Sequence, residues 1–182
     1  MFFPQLYTIT SYSLLQSTIR IREYVQEAKK QGYTSLAITD KDVLYGAPEF
    51  YRICVEEGVQ PIIGLHLSYT YEEKNYGFLS YAKDEMIQEK LELAEMTETD
   101  HLAFVVPANH SVSEAFNKED NFFGHWQFLL ENVFTRNFYI GLTENTPDQL
   151  PEWYQYVIKE NYSLCALHPS LVYNKKNFLH LK

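Results

Sequence analysis

Short apolar runs alternate with amphipathic stretches along almost the whole chain, and this alternation limits the fold more than any other feature. Phe2 to Ile9 reads as a strand. Ile19, Ile21, Tyr24, Val25 and Ala28 then fall at helical spacing, with Ser17 or Thr18 placed to cap and Gly32 to stop the helix. SLAIT, Ser35 to Thr39, is a buried-strand pattern ending at Asp40. Pro48 to Glu57 predicts a helix, with proline in its first turn and Gly58 at its end. Pro61 to Tyr71 and Tyr76 to Ala82 read as two arms of a hairpin around the polar EEKN. Further on, Leu102 to Val106, Phe138 to Leu142 and Ser163 to Leu167 predict strands. Asp84 to Met96, Ser111 to Phe116, Asp120 to Phe134 and Asp148 to Lys159 predict helices. Strand–helix alternation of this kind implies a parallel sheet, either wound open or closed into a barrel. In both forms the chemistry lies at the C-terminal ends of the strands. Tyr7 to Thr10, Asp40 to Asp42, His66 and His168 are therefore the positions where a site is expected.

The chain has 182 residues, which suits a single domain spanning 1–182. Its last residues, NKKNFLHLK, read as the start of a helix without cap or stop, as at a boundary inside a longer polypeptide. Hydrophobic residues make up 46% and charged residues 21%, a globular rather than a disordered balance. The formal net charge of -9 argues against a direct grip on nucleic acid, which needs Lys and Arg to displace condensed counterions. The opening MFFPQLYTIT lacks the basic and long apolar regions of a secretory leader, and no apolar run approaches the ~18 residues of a membrane span. With Cys54 and Cys165 on separate predicted elements, nothing suggests a disulfide framework, and a reducing cytoplasm is the expected compartment.

Each candidate residue also has a plain structural explanation. Asp40 suits a catalytic carboxylate at a strand end, but TDKD is turn-rich and an Asp there commonly caps the turn. His66 suits a replacement ligand or a surface or hydrogen-bonded histidine, and the second is commoner. His101, His110, His125, His168 and His180 show no ligand spacing. Ser11 and Ser13 read as loop and cap residues, and Cys54 and Cys165 as small packed apolar groups. Gly46, Gly58 and Gly64 form no phosphate-binding loop. Tyr69, Tyr71, Tyr76 and Tyr81 sit among Glu72 and Glu73 rather than basic residues, so hairpin packing explains them better than base stacking.

The stretch IRIREYVQEAKKQGYTSLAITDKDVLYGAPEFYRICVEEGVQPIIGLHLSY, Ile19 to Tyr69, resembles the polymerase-and-histidinol-phosphatase (PHP) domain that opens bacterial DNA polymerase III alpha subunits. The preceding YSLLQS is similar to that family's YSLLDG. AITD, LYGAPEFY and GVQPIIG carry the likeness at specific spacings, and the remainder follows it mainly in strand order. The resemblance implies a distorted seven-stranded (β/α) barrel whose complete members hold a metal cluster at the strand ends.

Carried over position by position, the family's first motif, His-x-His, falls on Tyr7 and Ile9. Thr-Asp-His falls on Thr39, Asp40 and Lys41, and a Glu that follows Gly-Leu in the third strand falls on His66. A later His falls near Gly77, a Cys near Ala108, and the closing Asp-x-His on Pro169 and Leu171. Among the ligand positions Asp40 is the one clear survivor. A catalytic zinc site needs about three donors, and Ile9 and Leu171 offer none, while Lys41 is a cation. The resemblance thus implies a PHP module of a replicative DNA polymerase III alpha subunit with a degenerate metal site, no catalytic residue and no cofactor. Its partners would be the palm and thumb of that subunit, with further replisome subunits conceivable and DNA reached only through the parent. The competing expectation is a metal-dependent phosphoesterase or 3′–5′ exonuclease. Lys41, next to Asp40, is expected to supply the positive charge that a lost metal would have provided.

Overall fold

The computed structural model describes residues 5–71, 73–83, 102–108, 129, 137–143, 146–149, 151–167 and 169–170. The chain falls into two compact units, Met1–His66 with His168–Lys182, and Leu67–Leu167.

In the first unit, β1 (Tyr7–Thr8) and β8 (Pro169–Ser170) pair in parallel, with Tyr7 opposite Pro169 and Thr8 opposite Ser170. β2 (Ser35–Lys41) pairs in parallel with β3 (Gln60–Tyr71), Asp40 opposite Leu65 and Lys41 opposite His66. α1 (Ile21–Lys30) follows β1 and α2 (Ala47–Glu57) follows β2. α1 buries Ile21, Tyr24, Val25 and Ala28, the positions that the helical spacing singled out. They join Leu36 and Ile38 of β2 and Phe50, Ile53 and Cys54 of α2 in one apolar cluster. The Cys54 thiol is pushed up to about 12 by burial, so it acts here as an apolar filler. Gly58 ends α2 at φ 69°, a left-handed conformation that glycine adopts without penalty. On the outer side, Lys29 pairs with Glu57 at 3.0 Å and Arg22 with Glu56 at 3.6 Å, exposed contacts that add little.

The start of α1 departs from expectation. Its N-cap is Arg20, with no side-chain cap, and the Ser17 hydroxyl instead accepts the Ile19 N–H at 3.1 Å.

In the second unit, β3 runs to Tyr71 and β4 (Lys74–Ala82) begins three residues on, the expected hairpin. Its rings pack on one another: Tyr69 stacks on Tyr76 at 5.5 Å, and Phe78 meets Phe104 edge-on at 5.7 Å. β4 pairs antiparallel with β5 (Leu102–Pro107), which pairs in parallel with β6 (Phe138–Leu142), itself parallel to β7 (Leu164–Ala166). A purely parallel sheet is thus not what forms, because the tight β3–β4 turn must reverse the chain. The helix expected over 148–159 is two, α3 (Thr146–Gln149) and α4 (Pro151–Lys159), since Pro151 disfavours helical backbone in the residue before it. The helices expected over 84–96, 111–116 and 120–134 lie outside the described residues, except Leu129, which is helical and buried. No helix among the described residues is long and apolar enough to cross a membrane.

Candidate functional site

The strand ends of the first unit converge on Asp40. Its carboxylate, 2% exposed, is held by the segment that follows β1. Oδ1 accepts the Thr10 backbone N–H at 2.7 Å and the Ser13 hydroxyl at 2.8 Å, and Oδ2 accepts the Thr10 hydroxyl at 2.7 Å. The Ser13 oxygen in turn accepts the Lys41 N–H at 2.9 Å, so the two segments lock together from both sides. Thr10 and Ser13 are themselves buried. Hydrogen bonds to an ionised carboxylate are short and strong, and three of them largely satisfy a buried charge.

Asp40 is therefore a cap, but not of its own TDKD turn. It caps the loop after β1, some thirty residues earlier. Among the described residues no cation lies within ion-pair distance of it, so Lys41 does not supply the compensating charge. The reason is geometric: successive residues of a strand face opposite sides, and Asp40 and Lys41 are neighbours in β2.

Gly46 closes the remaining side. A Cβ there would stand 3.0 Å from a Tyr12 ring carbon, 3.1 Å from Ile21 Cδ1 and 3.2 Å from Asp40 Oδ2. Gly46→Ala should cost about 1–3 kcal/mol by overpacking, read as a lowered urea midpoint; an unchanged midpoint would mean that this corner is loose.

Tyr7 and His66, both buried, meet each other. The Tyr7 hydroxyl lies 3.2 Å from His66 Nδ1, and the rings stand edge-to-face at 5.7 Å. Burial pushes the Tyr7 phenol up to about 12, so it keeps its proton at neutral pH. His66 is thus a hydrogen-bonded histidine. Ile9 is buried and apolar. Pro169 sits in β8 opposite Tyr7, while Leu171 and His168 lie outside the described residues. In the second unit, Gly77 lies within β4, and Ala108 is fully buried with its N–H donating to the Gly141 carbonyl at 2.8 Å.

Sequence reasoning missed Thr10 and Ser13 as the partners of Asp40. The signal open to it was weak: two small hydroxyl residues just past a strand end, where polar side chains commonly hold loop backbone.

Among the described residues the donor set does not fit a divalent metal cluster. Asp40 spends its oxygens on Thr10 and Ser13, Tyr7 and His66 are paired with each other, and Ile9 has no donor atom. No group of three or more His, Cys, Asp or Glu that could hold a metal ion occurs among the described residues.

The sequence profile of the PHP domain matches residues 5–166. The chain belongs to the PHP domain family. This PHP domain resembles a small part of longer proteins. The DNA polymerase III subunit alpha of Streptococcus pyogenes is 43% identical over 72 residues, 40% of this chain and 7% of that protein. The Bacillus subtilis (strain 168) protein of the same name is 48% identical over 68 residues, 37% of this chain and 6% of that protein. The chain thus spans under a tenth of the length of these relatives. Among solved structures, an amidohydrolase from Chromobacterium violaceum aligns with TM-score 0.63 and 8% identity, over 93% of this chain and 87% of that one. A two-domain protein from Bacteroides vulgatus, containing a predicted PHP-like metal-dependent phosphoesterase, aligns with TM-score 0.63 and 10% identity, over 94% and 52%. At such identities the likeness speaks for the fold alone, and it is the α/β PHP fold expected from the sequence.

Proposed function

We propose that this PHP domain is a structural and interaction module of a DNA polymerase III alpha subunit, without hydrolytic activity of its own. The observation that carries this reading is the state of Asp40. The one acidic residue retained at the expected metal positions is occupied by Thr10 and Ser13, and its neighbours Tyr7 and His66 are engaged with each other. A site so arranged holds loops in place and, among the described residues, gathers too few donors for a metal-bound nucleophile. Polymerisation would belong to other parts of such a subunit, and the module would pack against its palm and thumb in the cytoplasm. Its net charge of -9 suits contact with a basic protein surface better than contact with DNA.

The test is metal content after purification without chelators, followed by hydrolysis of a chromogenic phosphate ester and of single-stranded DNA from its 3′ end. We expect substoichiometric metal and no turnover above background with added manganese or zinc. Stoichiometric metal together with turnover would make the chain a phosphoesterase or 3′–5′ exonuclease instead.

A further inference from the structure

We propose that the loop tip Tyr12–Leu15 is the anchor by which this module seats in an apolar, basic-rimmed pocket on the remainder of a DNA polymerase III alpha polypeptide. The proposal rests on the module reading above and names the surface through which it acts. Leu14 is 82% exposed and Leu15 wholly so, an unusual display for two adjacent leucines. Tyr12 is partly exposed, and Tyr45, the residue before the Gly46 against which Tyr12 packs, is 76% exposed. Scattered apolar side chains on a surface are ordinary, but a contiguous group of them marks a contact site.

The tip is also braced by hydrogen bonds on both sides. Ser11 donates its N–H to Ile19 at 2.8 Å, and the Ser13 and Gln16 N–H groups bond Thr10 and Ser13 carbonyls at 3.1 Å. Between the leucines and the strand lies Ser13, fastened to Asp40. The Tyr12 hydroxyl donates to Glu49 at 2.8 Å. Leu15 itself holds φ 62°, a left-handed conformation that leucine rarely adopts. A disfavoured conformation that points an apolar side chain fully into water does nothing for the isolated fold, and such outliers gather at functional contacts. Anchors held in place before binding lose little freedom on docking, which is the economy of interface hot spots.

Two observations select the occupant. The sequence relatives carry the matching stretch as only 6–7% of a far longer polypeptide, so a tethered partner would face this tip at high effective concentration. The module carries a net charge of -9 over the whole chain, and a polypeptide that grips DNA presents Lys and Arg, which favours a basic partner around the apolar tip.

The test introduces photoreactive p-benzoylphenylalanine at Leu15 in the gene within its own cell, so that the polypeptide is probed as the cell makes it. Val55, 58% exposed on α2, is the control position. Cross-linked peptides are identified by mass spectrometry. The expected result is cross-links from position 15 to DNA polymerase III alpha sequence outside the stretch matched by this chain. Their yield should be at least about tenfold that at position 55, falling about tenfold with Leu14→Ser. Cross-links from position 15 to a second copy, to an unrelated protein or back to this chain would overturn the proposal. So would equal yields at the two positions. If position 55 alone reaches alpha-subunit sequence, the module reading stands and the docking tip is wrong. If neither position reaches it, the docking tip is wrong, and the module reading is judged by its own metal and hydrolysis test.

Discussion

Asp40→Ala should destabilise the first unit by about 3 kcal/mol, seen as a melting temperature lower by roughly 6–12 °C. The substitution removes the acceptor of three hydrogen bonds at once and leaves the Thr10 N–H, the Thr10 hydroxyl and the Ser13 hydroxyl buried. Each bond to a charged group contributes about 1.5–3 kcal/mol, and the sum is discounted because a small cavity admits some water. Asp40→Asn should lose less, about 1 kcal/mol, because its amide oxygen can keep two of the donors and its NH2 can donate to the Thr10 hydroxyl. Chelator should leave the wild-type transition where it was. A chelator-induced fall as large as that of Asp40→Ala would show that the carboxylate holds a metal, and a loss under about 0.5 kcal/mol for Asp40→Ala would remove it from the list of structural keystones.

Phe50→Ala should cost about 3–5 kcal/mol, the largest loss expected from a single side chain in this unit. Phe50 is fully buried in the cluster formed by α1, α2 and β2, and its N–H closes the first turn of α2 on the Gly46 carbonyl at 2.9 Å. Removing the ring leaves a cavity in this cluster, whose walls are fixed by two packed helices and cannot readily collapse onto it. Phe50→Leu, which refills most of the space, should cost roughly 1 kcal/mol. The measurement is the urea midpoint with the slope compared between variants. Equal losses for Ala and Leu would point to an aromatic contact rather than to volume.

Helix α1 was legible in the sequence because its buried face is periodic, and Gly58 because only glycine enters the left-handed turn at no cost. The cap of α1 was not, since two hydroxyl residues stood near its start and neither caps it. The split of the last helix was not read, although Pro151 signals it, whereas the β3–β4 hairpin was read from a turn too short for anything but a reversal. At the site, local pattern singled out Asp40, near the end of β2, and His66, which is not a strand end but lies within β3 where its pairing with β2 stops. It could not reveal their partners, because Thr10, Ser13 and Tyr7 lie 27 to 59 residues away and only the fold brings them close. The charge-replacement role expected of Lys41 failed on a rule available from the start: in SLAITDK, neighbours face opposite ways.

The two cysteines stand one in each unit, Cys54 wholly inside and Cys165 half inside, and burial raises both thiols, to about 12 and about 11. Neither is a ready nucleophile while its surroundings stay closed. A thiol-trapping reagent therefore acts on this protein as a pair of clocks: each sulfur starts reacting when its own half breathes, and comparing the two rates tells whether the halves loosen as one cooperative body or separately.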